Sequence, residues 1–87
     1  MAHKLLVGAT IEDNTREKAV KLSVNIRVVF KDGRQSEKTW RIWLPRSVMK
    51  IEDDAISVYP KFIQMKEEEI AKMLDAKLVG IKVVEDE

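Results

Sequence analysis

Residues 18–30 read KAVKLSVNIRVVF, and apolar and polar side chains alternate along the whole run. One parity holds Val20, Leu22, Val24, Ile26, Val28 and Phe30. The other parity holds Lys21, Ser23, Asn25 and Arg27. A period of two is that of a β-strand, so the run predicts a long antiparallel strand with one buried and one solvent-facing side. Strands of this length usually bend or change partners, as they do in small barrels.

The residues that follow predict a hairpin. Lys31-Asp32-Gly33-Arg34 contains an Asp-Gly pair, and glycine tolerates the positive φ that tight hairpin turns need. The returning strand is predicted over 36–44, and Pro45 ends it because proline lacks the N–H that strand pairing uses. Its parity places Trp40, Ile42 and Leu44 on the core side and Thr39, Arg41 and Trp43 on the opposite side.

The rest of the chain predicts four further strands and one helix. A first strand is expected over 4–12, with Leu5, Val7, Ala9 and Ile11 on one parity, and a short hairpin is expected around Asp53-Asp54. A helix is expected from Pro60 to about Leu78, and a last strand over 81–84, with Gly80 near the helix cap. The apolar stripe of that helix is predicted to contain Phe62, Ile63, Ile70, Met73, Leu74 and Leu78. Lys66 and Lys77 fall within this stripe, so either their stems reach out to solvent or the helix is broken.

This element order predicts one α+β domain over residues 1–87. Antiparallel hairpins followed by a single helix favour a curled, barrel-like antiparallel sheet of about six strands, covered by the C-terminal helix. The chain has 87 residues, 45% of them hydrophobic and 36% charged, which is too apolar for a disordered chain and too charged for a membrane protein. We therefore expect no membrane partner.

Composition also excludes several kinds of site. No cysteine and a single histidine, His3, exclude a disulfide scaffold, a structural zinc site and Cys–His catalysis. The acidic groups at 52–54, 67–69 and 85–87 match no calcium-loop or two-metal spacing, and solvation of turns and a helix face explains them better. No residue pattern points to catalysis, so we expect a non-enzymatic protein without metal or cofactor. Plentiful charge with few Asn and Gln residues is also the direction taken by proteins from hot habitats.

Charge is unevenly distributed along the chain. Residues 1–50 hold eleven Lys or Arg and five Asp or Glu, a balance of +6, whereas residues 51–87 hold five and ten, a balance of −5, which together give the net charge of +1. Such a chain can attract a polyanion to one surface. The alternative is a solvated surface on which the two halves screen each other.

The segment around Trp43 is the best candidate binding site. An aromatic side chain beside guanidinium groups on a curved sheet can stack on single-stranded bases while nearby cations meet phosphates. The candidate nucleic-acid-binding residues are Lys21, Arg27, Lys31, Arg34, Lys38, Arg41, Trp43, Arg46 and Lys50. The alternative is that Trp43 packs under the helix or against another chain, as most aromatic side chains do.

The segment Trp43-Leu44-Pro45-Arg46-Ser47 resembles the W-[IL]-P-[KR]-S segment of small, largely uncharacterised proteins encoded by phages and other mobile elements. In those proteins a short strand, an apolar residue before proline and an aromatic-bearing helix follow, which residues 56–63 match. The resemblance covers roughly residues 17–66, although Glu67 stands in the region where a glycine is expected. It implies a viral or mobile-element origin, and with it the host-cell cytoplasm, rather than an activity.

Two functions remain open from the sequence. The first is a viral-type module that binds DNA or RNA through its basic, Trp-bearing β face. The second is a protein-interaction module, either a self-associating structural protein such as a homodimer or an inhibitor of a host enzyme. In the second case Trp43 and neighbouring apolar atoms would form the centre of an interface with a host or viral protein.

Overall fold

The computed structural model describes residues 3–84, which form seven strands, one 3₁₀ turn and one helix. The strands are β1 (Lys4–Leu5), β2 (Thr10–Asp13), β3 (Ala19–Val29), β4 (Gln35–Pro45), β5 (Met49–Glu52), β6 (Ala55–Val58) and β7 (Leu78–Ile81). The 3₁₀ turn is Arg46–Val48, and the helix α1 is Pro60–Met73.

Strand β3 organises the larger of two antiparallel sheets. Strand β4 pairs with the whole length of one edge of β3, from Ala19 opposite Pro45 to Val29 opposite Gln35. The other edge of β3 is shared by β2 and, further along, by β7. We call β2, β3, β4 and β7 the large sheet; β5, β6 and β1 form the small sheet, with β6 in the middle.

The alternation of residues 18–30 produces the predicted buried face. Val20, Leu22, Val24, Ile26 and Val28 are at most 1% exposed, and Phe30 packs partly buried against the same core. Ile42 and Leu44 of β4 are buried beside them, with Trp40 half-buried. The residues of opposite parity form what we call the outer face of the large sheet. The predicted strand, hairpin and face assignment are therefore confirmed.

Backbone hydrogen bonds between the two chain ends join the sheets. Val7 donates its N–H to the carbonyl of Lys82 at 3.1 Å, Val84 donates to Leu5 at 2.7 Å, and Leu6 is bridged to Val83. On its other side Leu6 donates to the carbonyl of Ile56 in β6 at 2.9 Å. The strands thus form a curled, barrel-like arrangement. Within residues 3–84 no pairing connects β4 to β5, so the barrel is open there.

The predicted first strand is divided into two. Gly8 adopts a φ of +67° between β1 and β2, so the chain leaves the small sheet and enters the large one. The side chain that reaches the core is Leu6, at 6% exposure, while Leu5, Val7 and Ile11 are each at least 36% exposed. The single strand predicted over 4–12 is therefore two strands, and the change of sheet at Gly8 determines which side chains face inward.

Helix α1 covers the core but ends earlier than its apolar pattern predicts. Ile63 and Ile70 are buried and Phe62 and Leu74 pack against the core, whereas Met73 is 66% exposed. After Leu74 the chain turns, with a left-handed φ of +51° at Asp75, and residues 71–76 close the end through two backbone bonds typical of a Schellman motif. Leu78 and Gly80 therefore lie in β7, and Gly80 is not the cap.

Of the two lysines within the predicted stripe, one stays in the helix and the other lies beyond its end. Lys66 remains in the helix with its side chain 24% exposed, and its ammonium reaches Glu69 at 3.6 Å. Lys77 lies beyond the end of the helix and is exposed. The α+β class with a covering helix is confirmed. Among the described residues no helix has both the length and the apolar character needed to cross a bilayer.

Candidate nucleic-acid interface

Trp43 is half-buried on the outer face of the large sheet, near the start of β3. Its strand partner is Lys21, whose ammonium lies 5.9 Å from the centre of the indole ring. The guanidinium of Arg16, in the loop before β3, lies 5.2 Å from the same ring. Both distances are within the range of cation–π attraction. Trp43 therefore lies in a cationic setting and does not pack under α1.

Three candidate cations share the outer face with Trp43. Lys21 and Arg27 are on β3, and Arg41 lies two residues before Trp43 on β4. Arg16, Lys21, Arg41 and Trp43 form the compact group that we call the Trp43 cluster. Arg27 is further along, opposite Glu37 and Gly80.

Acidic side chains border this cluster. Glu12 accepts a hydrogen bond from Nε of Arg41 at 2.9 Å, and Asp13 is the strand partner of Lys21. Hydrogen bonds from the hydroxyl and backbone N–H of Thr15 lower the pKa of Asp13, with smaller contributions from Arg16 and Lys21. The cluster of three cations therefore lies beside two carboxylates, which reduces its attraction for a polyanion.

Glu37 brings a further carboxylate to the outer face. Its carboxylate accepts a hydrogen bond from the ammonium of Lys82, which lowers the pKa of Glu37, and Arg27 adds a smaller effect. The far end of the outer face therefore holds two cations, Arg27 and Lys82, around one carboxylate.

Three other candidates form ion pairs away from the cluster. Lys31 contacts Asp75 at 2.6 Å, beyond the helix end, and Lys50 in the small sheet contacts Glu52 at 2.8 Å. Arg34 in the β3–β4 turn contacts Asp32 at 2.7 Å and lies 5.2 Å from the ring of Phe30. All these side chains are more than half exposed, and such pairs are screened by water and exchange readily.

Lys38 and Arg46 occupy other surroundings. Lys38 is the strand partner of Ile26, so it lies on the core side of β4, where it is exposed. Arg46 donates from Nε to the carbonyl of Glu17 at 3.0 Å and from Nη2 to that of Arg16 at 3.0 Å. Its Nη2 also donates to the backbone carbonyl and the side-chain oxygen of Asn14. Arg46 therefore fastens the loop that carries Arg16.

Sequence reasoning missed Arg16. It lies in the polar turn between the first two predicted strands, where no periodicity assigns a side chain to a face. Only the hydrogen bonds from Arg46 to this loop reveal that Arg16 is held near Trp43. No signal in the sequence could have indicated that contact.

His3 and the acidic groups are accounted for separately. The imidazole of His3 stacks on the ring of Tyr59, with the ring centres 4.1 Å apart. Within residues 3–84 no three His, Asp or Glu side chains converge as metal ligands would. The acidic group predicted at 85–87 lies outside the described residues.

No family model, curated protein sequence or solved structure matches this chain. The resemblance of residues 43–47 to phage and mobile-element proteins therefore stays a prediction.

Proposed function

We propose that the protein is a non-enzymatic module that binds single-stranded nucleic acid through the Trp43 cluster. The observation that carries this proposal is the position of Trp43 on the outer face, with Arg16 and Lys21 within 6 Å of its ring. An indole ring stacks on any base, and cations beside it can neutralise the phosphates on either side. The viral or mobile-element origin implied by the sequence is part of the same proposal.

The ion pair of Arg41 is compatible with this proposal. Its side chain is 67% exposed in the pair with Glu12, and an exposed pair contributes little free energy, so a phosphate can compete for the guanidinium. The neighbouring carboxylates should keep affinity modest, and the salt dependence should be shallow, because each phosphate that is neutralised releases counterions and few cations are available to neutralise them. The proposed contact surface does not include Lys31, Arg34, Lys38, Arg46 and Lys50.

Fluorescence titration tests this function. The Trp40→Phe variant leaves Trp43 as the only indole, and single-stranded oligonucleotides should quench its emission at low salt. Replacing Lys21 or Arg16 by alanine should weaken binding and lower the salt dependence by about one unit of slope per cation. Lys50→Ala is the matched control, because Lys50 lies in the other sheet. Absence of quenching by single- and double-stranded oligonucleotides at low salt would overturn the proposal.

A second candidate function is a protein-interaction module, and the topology of the large sheet favours it. β4 has eleven residues and pairs on one edge only, within the part of the chain that the structure describes. An unpaired edge of this length offers backbone donors and acceptors to another strand. Light scattering of the purified chain over a range of concentrations tests for self-association.

A further inference from the structure

The free edge of β4 presents a defined set of backbone groups. Hydrogen bonds from Phe30 to Arg34 and from Arg46 to Lys18 continue the β3–β4 register at both ends. In an antiparallel pair the bonded residues alternate, so the even-numbered residues of β4 bond to β3. The N–H and C=O groups of Gln35, Glu37, Thr39, Arg41 and Trp43 therefore point away from β3, to the unpaired edge.

The register of eleven consecutive pairs between β3 and β4 contains no bulge, and Pro45 lies at the very end of the strand. Natural edge strands that avoid pairing are usually short, bulged, covered or interrupted by proline. None of these four features is present along residues 35–44. The protection that this edge does carry is charge, at Glu37, Lys38 and Arg41, so it is available to a partner strand whose charges complement them.

We infer that this partner is β4 of a second copy of the chain, running antiparallel, with Thr39 facing its own counterpart. The inference specifies the interaction-module function proposed above and does not depend on nucleic-acid binding. In this register Glu37 faces Arg41 of the second copy, and Arg41 faces Glu37 of that copy. The two-fold symmetry makes both pairs identical, and the strands would form about ten backbone hydrogen bonds, two for each of five facing pairs.

Charge selects this register over its neighbours. If the two β4 strands were paired with Arg41 at the two-fold axis, two guanidinium groups would lie opposite each other. If Glu37 were at the axis, two carboxylates would lie opposite each other. A pair centred on Lys38 likewise sets two ammonium groups together. Centring on Trp40 brings two indoles together but leaves Glu37 opposite Trp43, with no ion pair. Only the Thr39 register puts opposite charges directly across from each other.

The intramolecular contacts of the two charged residues leave room for these pairs. Arg41 uses its Nε for Glu12, so the two terminal nitrogens of the guanidinium remain as donors. Lys82 contacts one oxygen of Glu37, which leaves the second as an acceptor. Each pair would therefore extend an existing contact.

The surroundings of the edge have space for a second strand. An open groove of about 470 Å³ runs beside Thr39, Trp40 and Arg41, and Met73 of α1 forms its other wall. Met73 belongs to the apolar stripe of the helix yet is 66% exposed. In the Thr39 register Lys38 of the second copy lies across from Trp40, so its stem would cover the indole and the thioether. The exposure of Met73 is then explained by a contact that one copy alone does not complete.

Sedimentation equilibrium of the intact chain, without nucleic acid, tests the inference. The mass should rise with concentration from 10.1 kDa to twice that value. Glu37→Arg and Arg41→Glu should each weaken the dimer by at least about tenfold, because each sets like charges across the two-fold axis. The double variant Glu37→Arg/Arg41→Glu exchanges the two charges, and it should restore the dimer to within about threefold. Lys50→Glu, a charge reversal in the small sheet, is the matched control and should have no effect.

The outcomes separate the inference from the function on which it rests. A dimer that the single variants do not weaken, or that the double variant does not restore, overturns the Thr39 register but leaves self-association standing. A wild-type chain that stays monomeric at high concentration overturns both. Thermal denaturation of each variant identifies any loss of fold. Thr39→Pro gives a second test, because proline removes the N–H of Thr39, which faces the free edge. The fold should tolerate that loss and the dimer should not.

Discussion

The backbone passes from the small sheet to the large sheet at Gly8, where there is no room for a side chain. Its φ of +67° is a conformation that side chains other than glycine rarely adopt. A Cβ at this position would lie 2.6 Å from Nδ2 of Asn25, which donates a hydrogen bond to the carbonyl of Val7 at 3.2 Å. The glycine thus allows Asn25 to fasten the crossing to β3.

Gly8→Ala should lower the free energy of unfolding by about 2–3 kcal/mol, because it adds backbone strain and displaces the Asn25 amide from its acceptor. Gly33→Ala is the matched control: its φ of +93° is also unfavourable, but no atom lies within 4 Å of the added Cβ. That variant should lose only about 1 kcal/mol. Urea denaturation measures both. Equal losses would show that the contact with Asn25 is unimportant.

Single ion pairs were the least predictable part of the candidate site. Arg41 and Glu12 are 29 positions apart, and Lys31 and Asp75 are 44 apart. Neither separation is set by a helix or a hairpin turn. The sequence therefore predicted these cations as free to bind phosphate, although each has an acidic partner in the fold. The face of Trp43, in contrast, was predictable from the pleat alone, because parity along β4 needs no knowledge of distant residues.

Among the elements, β7 pairs with β3 on one edge, and α1 covers part of the other. The N–H of Ile81 points away from β3 and donates to Oε2 of Glu67 at 2.8 Å. Because this site is partly buried, the N–H has limited access to water, and the carboxylate supplies the acceptor that it would otherwise lack. Helix and strand are thereby joined through one side chain as well as through apolar packing.

Glu67→Ala should lower the free energy of unfolding by about 1–2 kcal/mol and speed amide exchange at Ile81, because the N–H loses its acceptor. Glu67→Gln keeps an oxygen at the same reach and should recover most of the loss. Glu68→Ala, on the exposed side of the same helix, is the control. Exchange at Ile81 that is equally slow in Glu67→Ala would contradict the role assigned to the carboxylate.

The elements differ in how well local pattern predicts them. β3, β4 and both predicted hairpins follow from alternation and turn residues. The early end of α1 does not, because Lys77 and Leu78 continue a helical pattern until pairing of β7 with β3 overrides it. The division of the first strand likewise depends on two sheets competing for residues 4–13, which no local period encodes.

For the molecule as a whole, charge is neutralised locally more than the +6 and −5 halves imply. Lys31–Asp75, Lys82–Glu37 and Arg41–Glu12 bring distant parts of the chain together. Two of these pairs join a cation and an acid from different halves. The uneven distribution in sequence therefore becomes a mixed surface after folding.

Acid should destabilise the fold. Five carboxyl groups have a pKa below the ordinary values of 3.8 for Asp and 4.5 for Glu: Asp13, Asp32, Glu37, Glu52 and Asp75. Hydrogen bonds are the main cause: Thr15 donates to Asp13, Arg34 to Asp32, Lys82 to Glu37, Lys50 to Glu52 and Lys31 to Asp75. A lowered folded-state pKa means that the charged form favours folding, so its contribution is present above the ordinary pKa and is lost as pH falls through the lowered one.

The free energy of unfolding should therefore be nearly constant from about pH 7 to about pH 5 and decrease below about pH 4.5. Denaturant titrations across this range measure it. In about 1 M salt the decrease should be smaller, because the exposed ion pairs are screened. Stability that increases between about pH 5 and about pH 3 would contradict the assigned pairs.

The shared edge of β3 also has a consequence for the order of assembly. The turn between β3 and β4 closes over a few residues, whereas docking of β7 brings together Ile26 and Ile81, about 55 positions apart. Closing the longer loop costs roughly 2 kcal/mol more in chain entropy. The β3–β4 hairpin is therefore the natural nucleus, and β7 docks late. Until it does, the edge of β3 over residues 26–29 stays open, and premature contact with other chains has its best opportunity there.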